Sequence, residues 1–437
     1  MEKKSLEEFK QINGLLKELN EERNKRKKNS QVKEIGDSEP VIFADGSTIY
    51  LTPIDFLGSR PGLFLTLRQL LYENLQNIPN QPKTMKSLLM TTFCAEPSFV
   101  NPIISQDLPF CLITHSKTPG IKRPSANFTV ITPPIPGAFG SFHAKLFLIH
   151  FPGRLRVVVT SANLIQCDWS KLGQIIWFQD FFECPNAAES EFKHSLQGFL
   201  SSLLNSDYDI KQELGIDLEK FDFSTSKVKL VTSVPGRYLT PSQLGLGKVR
   251  EIVKKEYSGC LYQCSSIGSF SAANVENFLR MTAGNPTARL DLVFPSFKNV
   301  QDSFLGPDGA GVFFVKQEHY EKKGFPKESF CLFEGTEGLS GHLSHSKVMI
   351  LHDRYEIQDS TVIYVGSHNF SGAAWGALEK GGKQISIKNY EIGVIFDSKE
   401  GSAEEKQRIV KRLPFNFPPK KYSPTDRPFF IDSDFGN

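Results

Sequence analysis

The chain contains one short phrase twice. In the first copy, His143-Ala144-Lys145 precedes an apolar run and then the loop Thr160-Ser161-Ala162-Asn163-Leu164. In the second copy, His345-Ser346-Lys347 precedes another apolar run and then Gly366-Ser367-His368-Asn369-Phe370. A single His-x-Lys would carry no information. Two copies, each followed at a similar distance by a small-residue loop with Asn, predict a duplicated half-site that gathers two His, two Lys and two Asn at one point.

The residues around each copy predict the same local structure. Residues 147–149 and 157–159 are short, apolar and β-rich, and Pro152-Gly153 between them is typical of a turn. Residues 348–351 and 362–365 repeat this pair of buried strands. Stretches 189–204 and 246–257 have helical patterns, and strands interleaved with helices indicate an α/β protein. The predicted divisions are an N-terminal tail (1–40), a first half (41–232) and a second half (233–437).

The first 40 residues differ from the rest. Phe9, Ile12, Leu15, Leu16 and Leu19 could form one face of a helix, and a basic run follows at residues 23–28. A solvated, partly helical tail is one interpretation. The other is a nuclear-import or nucleic-acid patch, and on this basis we expect a nuclear protein.

Composition excludes little. A net charge of +3 over 437 residues neither implies nor rules out a nucleic-acid partner. The N-terminus lacks the apolar core of a secretory signal, and no apolar run is long enough to span a membrane. The seven cysteines are scattered. Cys260 and Cys264 have no second pair at zinc-finger spacing. We therefore expect no membrane partner, no metal and no cofactor.

The residue types of the doubled phrase suit phosphodiester chemistry. Such a reaction needs an activated nucleophile, a proton for the leaving oxygen, and positive groups on the nonbridging oxygens. Histidine can be nucleophile or acid, lysine supplies positive charge, and asparagine supplies a neutral donor. His and Lys at i and i+2 on a strand would share one face. A lone His, Lys or Asn of this kind is usually structural. Repetition favours the catalytic interpretation, but leaves open which His attacks.

These residues resemble the tyrosyl-DNA phosphodiesterases of the phospholipase D superfamily. The superfamily's general motif has an Asp after His-x-Lys, where this chain has His150 and His352, and its absence is typical of that branch. Residues 155–159, 161–165 and 168–169 resemble the first motif region. Residues 369–380 and 390–394 resemble the second. The resemblance covers residues 41–435. It implies an α/β fold of two similar phospholipase-D-like α-β-α sandwich domains, related by a pseudo-two-fold axis, with the active site at their interface.

The resemblance also implies a role for each residue of the site. His143 would attack phosphorus to form a phosphohistidine, and His345 would protonate the leaving oxygen and then activate water. The phosphate would be held by Lys145, Lys347, Asn163 and Asn369. Gln174 would orient His143 and Glu391 would orient His345, whose pKa a carboxylate would raise.

Three further residues match DNA-binding positions of the family. Phe139 aligns with an aromatic residue that stacks on a base, while Ser266 and Ser371 align with residues that contact the DNA backbone. The alternatives are structural, because a Phe is a core residue by default and small hydroxyl residues cap helices.

The implied function is hydrolysis of 3′-phosphotyrosyl bonds, as left by topoisomerase I, and of related 3′ adducts on DNA. The partners would be adduct-bearing DNA 3′ ends and single-stranded DNA, and we expect a monomer. One alternative is another hydrolase of the superfamily, such as a nonspecific nuclease or a phospholipid-cleaving enzyme. Another is a catalytically idle module that binds DNA ends.

Overall fold

The computed structural model describes residues 41–60, 62–73, 75, 84–204, 208–336 and 338–434. The predicted tail, with its apolar helical face and its basic run, lies outside the described residues. In the part of the chain that is described, no helix is both long and apolar enough to cross a membrane.

Helices are interspersed among the strands of these residues. The strands are β1 (Val41–Ile42), β2 (Thr48–Leu51), β3 (Ser87–Thr92), β4 (Phe110–Thr114), β5 (Gly120–Ser125), β6 (Phe128–Thr132), β7 (Leu146–Phe151), β8 (Arg154–Thr160), β9 (Ile175–Phe182), β10 (Lys229–Ser233), β11 (Gly236–Leu239), β12 (Gly259–Gln263), β13 (Arg289–Val293), β14 (Phe330–Cys331), β15 (Val348–His352), β16 (Val362–Gly366), β17 (Ala377–Glu379), β18 (Gln384–Ile387) and β19 (Glu391–Phe396). The α-helices are Leu67–Tyr72, Pro97–Val100, Glu191–Leu203, Ile210–Leu214, Gly245–Ile252, Ala272–Thr282, Phe297–Asp302, Gln317–Tyr320, Gly372–Trp375 and Ala403–Val410.

Two large sheets carry the same strand order. The first runs β1-β2-β9-β8-β7-β3-β4-β6-β5, and the second runs β10-β19-β16-β15-β12-β13-β14. When the two strand orders are aligned so that β7 corresponds to β15, every strand of the second sheet has a counterpart in the first. Corresponding neighbours also have the same direction: β3–β4 and β4–β6 are parallel, like β12–β13 and β13–β14, and the remaining pairs are antiparallel. The predicted duplication is therefore visible in the topology.

The boundary between the halves lies earlier than the sequence suggested. All of β10, Lys229–Ser233, pairs with β19 in the second sheet. The predicted boundary at 232/233 falls inside this strand and is wrong by a few residues. Turn-forming residues flank β10 on both sides, at Ser224–Ser226 and Pro235-Gly236, and only the first group separates the sheets.

The middle strands are buried on both faces, which explains their unbroken apolar runs. Alternate residues of β7 point to different cores: Leu146 and Leu148 join one that also contains Val348 and Ile350 of β15, whereas Phe147 and Ile149 pack on the far side of the first sheet. The two sheets therefore share a central core, and the ends of β7 and β15 are held close together.

Local signals account for the elements around this core. The β7–β8 connection contains Pro152 and Gly153, and the positive φ of Gly153 (+77°) suits a residue without a Cβ. The helix Glu191–Leu203 begins at an N-cap, Ser190, and buries an apolar face that includes Phe192, Leu196 and Phe199. Gly245-Leu246-Gly247-Lys248 begins a helix, and the Lys248 ammonium pairs with Glu191.

Candidate active site

The two His-x-Lys segments lead into the middle strands of the two sheets. Residues 143–145 come directly before β7, and residues 345–347 come directly before β15. The sequence placed them on the strands. Instead they pair with the opposite half: the His143 amide donates to the Tyr390 carbonyl (2.9 Å), and the His345 amide donates to the Gly173 carbonyl (2.8 Å).

These pairings cross between the halves. Phe142 forms a parallel bridge with Tyr390, and Ser344 forms one with Gly173. The residue that follows each bridge partner is Glu391 in one case and Gln174 in the other. Each His-x-Lys segment therefore lies beside a polar side chain supplied by the other half.

The orienting partners are exchanged relative to the prediction. His143 Nδ1 lies 2.8 Å from Oε2 of Glu391, and His345 Nδ1 lies 3.1 Å from Nε2 of Gln174. The prediction that Gln174 orients His143 and Glu391 orients His345 is wrong. It kept each partner within its own half, whereas the parallel bridges bring the start of β9 or β19 to the opposite motif.

Two serines hold the orienting side chains in the same way. Ser161 Oγ accepts a hydrogen bond from the Ile175 amide and donates to Gln174 Oε1 (3.0 and 2.7 Å). Ser367 Oγ accepts from the Ile392 amide and donates to Glu391 Oε2 (2.9 and 2.6 Å). Because Ser161 donates to Oε1, the Gln174 amide turns its N–H toward His345.

This arrangement puts the two imidazoles in opposite tautomers. A carboxylate only accepts, so His143 carries its proton on Nδ1 and has a lone pair on Nε2. The Gln174 N–H donates to Nδ1 of His345, so neutral His345 carries its proton on Nε2. One imidazole is thus prepared as a nucleophile, and the other turns an N–H toward the site.

The two lysines are completely buried and link the half-sites electrostatically. Lys145 Nζ donates to the carbonyl of His143 (2.7 Å), and Lys347 Nζ makes the matching bond to His345. Burial lowers the pKa of Lys145 to about 8, although Glu391 and Asp168 oppose the shift. Burial and the Lys145 charge also lower the pKa of Lys347. Each lysine lowers the pKa of the histidine in the other half, so the half-sites form one site.

Burial sets the charge state of the other groups. It lowers the pKa of His345 to about 3, with Lys347 contributing, and it also lowers the pKa of His143, against the opposing effect of Glu391. Burial alone would raise the pKa of Glu391, but His143, His368 and Lys145 together bring it to about 2. The free site therefore holds neutral histidines beside ionised carboxylates. Within the described ranges, no group of three or more His, Cys, Asp or Glu is placed to hold a metal ion.

The two asparagines are held differently. Asn369 Oδ1 accepts from the amides of Ser265 and Ser266 (3.3 and 3.0 Å), which leaves its Nδ2 group to a ligand. Asn163 is held by a carboxylate: its amide and its Nδ2 both donate to Asp168 Oδ2, at 2.7 and 3.0 Å. The two predicted asparagines are therefore held by different groups: Asn369 by two serines, and Asn163 by a carboxylate that also lies beside His345.

The three predicted DNA-binding residues have different surroundings. Phe139 is 81% exposed, so it is not a core residue, and Lys388 Nζ lies 5.6 Å from its ring centroid. The Ser266 amide supports Asn369. Ser371 Oγ accepts from the Ala374 amide and caps the helix Gly372–Trp375, which is the structural alternative for this residue.

The sequence analysis assigned no role to two residues beside the histidines, although one of them lies in the first motif region. Phe93 is 37% exposed, and its ring centroid lies 5.9 Å from that of His143. Asp168 is completely buried, 3.7 Å from His345 Nδ1. Phe93 is one of 36 phenylalanines and has no distinctive spacing. Asp168 lies five positions after Asn163, whereas the residue five positions after Asn369 in the second copy is Ala374. This difference between the two copies is the sequence signal that could have indicated Asp168.

The fold and the site together define a phospholipase-D-like protein, in which two similar halves each contribute a His, a Lys and an Asn to one centre. The family model for tyrosyl-DNA phosphodiesterase matches residues 73–423. The chain therefore belongs to the tyrosyl-DNA phosphodiesterase family.

Similar proteins agree with this assignment. Tyrosyl-DNA phosphodiesterase 1 of Arabidopsis thaliana is 25% identical and aligns with 75% of this chain and 66% of its own length. A probable tyrosyl-DNA phosphodiesterase of Caenorhabditis elegans is 28% identical (70% and 71%), and tyrosyl-DNA phosphodiesterase 1 of Drosophila melanogaster is 26% identical (75% and 63%). The chain thus spans 63–71% of these relatives. The crystal structure of yeast tyrosyl-DNA phosphodiesterase has the same fold, with a TM-score of 0.68 at 20% identity over 88% of this chain and 99% of the yeast one.

Proposed function

We propose that this protein hydrolyses 3′-phosphotyrosyl bonds and related 3′ adducts on DNA, and leaves a 3′-phosphate. The different partners of the two imidazoles, a carboxylate at Nδ1 of His143 and an amide N–H at Nδ1 of His345, are the observation that carries this proposal. One nucleophilic and one proton-bearing imidazole, beside two buried lysines, suit the displacement of an alcohol or phenol from an anionic phosphodiester. The named activity of the relatives, tyrosyl-DNA phosphodiesterase, supports tyrosine as the leaving group.

In the first step, His143 Nε2 attacks phosphorus. A P–N bond forms and the bond from phosphorus to the tyrosyl oxygen breaks. That oxygen takes the Nε2 proton of His345, which holds a proton on each ring nitrogen for this step and is left neutral, with its remaining proton on Nδ1. Lys145 and Lys347 stabilise the charge on the nonbridging oxygens. Asn163 and Asn369 add neutral donors. Tyrosine leaves, and the DNA stays attached to His143.

In the second step, His345 acts as the base. It takes a proton from water, the water oxygen attacks phosphorus, and the P–N bond breaks to free His143. The product is a DNA 3′-phosphate. This order follows from the contacts of the two imidazoles, because the Glu391 carboxylate supports a nucleophile at His143.

The DNA strand is proposed to run past Phe139. This exposed ring can stack on a base of any identity, and Lys388 beside it can meet the backbone phosphate. One chain supplies both half-sites, so a monomer is sufficient for activity. The basic run at residues 23–28 supports a nuclear location.

The test is incubation with an oligonucleotide that carries a 3′-phosphotyrosine, in the presence of EDTA. We expect conversion to a 3′-phosphate, because lysines rather than a metal ion supply the positive charge. A nonspecific nuclease of the same superfamily would instead cut internal bonds of an unmodified oligonucleotide, and a lipid hydrolase would cleave phosphatidylcholine vesicles. Cleavage of either control without release of tyrosine would overturn the proposal.

A further inference from the structure

Asp168 breaks the symmetry of the duplicated site. It lies in the short 3-10 helix Gln166–Trp169, and its side chain is completely buried. Oδ2 accepts both hydrogen bonds from Asn163 and lies 3.7 Å from His345 Nδ1, while Oδ1 is buried without a hydrogen-bond partner among the described residues. In the other half, the position that corresponds to Asp168 is Ala374.

The second half shows that an asparagine needs no carboxylate to hold it. The Asn369 side chain is fixed by the amides of Ser265 and Ser266 and by the Ser265 hydroxyl, all of which donate to Oδ1. Holding Asn163 is therefore not a sufficient reason for a buried negative charge at Asp168. The charge has another neighbour, the imidazole of His345.

His345 needs such a charge when it acts as an acid. A neutral imidazole that gives up its Nε2 proton becomes an imidazolate, which is unfavourable near neutral pH. His345 must therefore hold protons on both nitrogens before it protonates the leaving oxygen. The Nδ1–H then needs an acceptor, but the Gln174 amide, fixed by Ser161, directs an N–H at that atom.

We propose that Asp168 is a positioning residue that stabilises the doubly protonated form of His345 and so lets it protonate a poor leaving group. This inference rests on the proposed function. The Asp168 carboxylate is near enough to become the acceptor for Nδ1–H through a small movement of the ring, and its negative charge compensates the imidazolium. After the proton has gone to the leaving oxygen, His345 is neutral, with its proton on Nδ1 and a free lone pair on Nε2 for the attacking water.

The charges around the pair agree with this role. Burial alone would raise the pKa of Asp168, but the pKa is lowered: a protonated His345 lowers it most, and the Asn163 amide and the Lys347 charge also lower it. The free site disfavours the imidazolium, because burial and two lysines oppose it. A bound phosphodiester adds one negative charge and shifts the balance toward protonation. The titratable and charged groups that act on the pair are Lys145, Lys347 and the thiols of Cys94 and Cys167. Glu391 acts on the two lysines, and Glu96 and Lys171 act on the thiols.

The experiment compares two leaving groups on the same oligonucleotide. Single-turnover formation of the covalent adduct is measured with a 3′-phosphotyrosyl substrate and with a 3′-(4-nitrophenyl) phosphodiester, whose leaving group departs without a proton. We expect Asp168→Asn to slow the tyrosyl reaction by about 10²-fold or more, the range for loss of an acid catalyst, and to have a much smaller effect on the nitrophenyl reaction. The alkaline limb of the tyrosyl pH profile should move to lower pH, since His345 then loses its second proton more easily.

A second carboxylate provides the matched rescue. In the double variant Asp168→Asn/Gln174→Glu, the new carboxylate replaces the Gln174 amide as the partner of His345 Nδ1. The ratio of the nitrophenyl rate to the tyrosyl rate should therefore return toward that of the wild-type protein. Equal slowing of both substrates by Asp168→Asn would overturn the inference. If Asp168 only held Asn163, its loss would disturb the contact with the phosphate, which both substrates share, and would slow both reactions alike. If Asp168→Asn does not fold, Asp168→Glu keeps the charge and should keep the wild-type preference; loss of that preference would also overturn the inference. A wild-type protein inactive on both substrates would contradict the proposed function itself.

Discussion

Nδ1 of His143 lies 2.8 Å from Oε2 of Glu391, a carboxylate that the other half of the chain contributes. Ser367 Oγ donates to the same oxygen, and Asn389 Nδ2 donates to Oε1 (3.0 Å). The carboxylate is thus fixed on several sides and leaves one direction for His143. It holds the imidazole proton on Nδ1, as the buried Asp does in a Ser-His-Asp triad.

Replacing Glu391 with Gln should impair the nucleophile specifically. Glu391→Gln keeps the size but can turn an N–H toward Nδ1, which moves the imidazole proton to Nε2 and removes the attacking lone pair. We expect adduct formation to slow by about 10²–10⁴-fold, the upper figure being that of the triad Asp→Asn change. Rapid-quench assays with labelled oligonucleotide measure this rate. Glu404→Gln, in the first turn of the helix Ala403–Val410, is the control and should keep the wild-type rate.

Substitutions of the two histidines should stop the reaction at different points. His143→Ala should give neither product nor adduct, because no nucleophile remains. His345→Asn or His345→Arg should accumulate protein covalently joined to DNA, because the second step then lacks its base. Denaturing gels with labelled oligonucleotide show both outcomes. An adduct on His143→Ala, with none on the His345 variants, would mean that the two roles are reversed.

The duplicated phrase was enough to predict two similar halves, which the two sheets show. The predicted strand pair at residues 147–149 and 157–159 is present as β7 and β8, and its repeat is present as β15 and β16. These predictions succeeded because they depend on short-range patterns. Buried strands must be apolar along their length, and a tight turn needs residues such as Pro152 and Gly153.

The pairing of His143 with Glu391 could not be obtained in this way. It depends on a parallel bridge between Phe142 and Tyr390, which no local pattern encodes. Asp168 was recognised as part of a motif region but was given no role, for a similar reason: only the fold brings the turn after Asn163 beside a histidine of the other half. Phe139 shows the opposite case: composition favoured a core residue, and exposure shows that the ring is free for a ligand.

Ligand binding should depend on pH through Lys145. Its pKa is about 8 in the free site, and a bound phosphate must raise it, so binding takes up a proton at higher pH. Affinity for an oligonucleotide with a 3′-phosphate should therefore be full below about pH 8 and fall by up to about tenfold per pH unit above it. Fluorescence anisotropy at constant ionic strength measures this affinity. The same oligonucleotide with a 3′-hydroxyl is the control, and an equal decline for both would rule out proton uptake at the site.

Removing the Phe139 ring should weaken DNA binding without disturbing the fold. Because the side chain is 81% exposed, Phe139→Ala creates no cavity, and the melting temperature should stay the same. Loss of one base–aromatic stack should cost about 1–3 kcal/mol in binding, with little dependence on base identity. The loss should be larger for single-stranded than for blunt duplex ends.

Phe182→Ala is the control. It removes a 39% exposed ring at the far end of β9, away from the site, and should leave DNA affinity unchanged. A phosphotyrosyl analogue without DNA gives the decisive comparison: if Phe139→Ala slowed its cleavage as much as that of the oligonucleotide, the ring would support the reacting groups rather than the DNA.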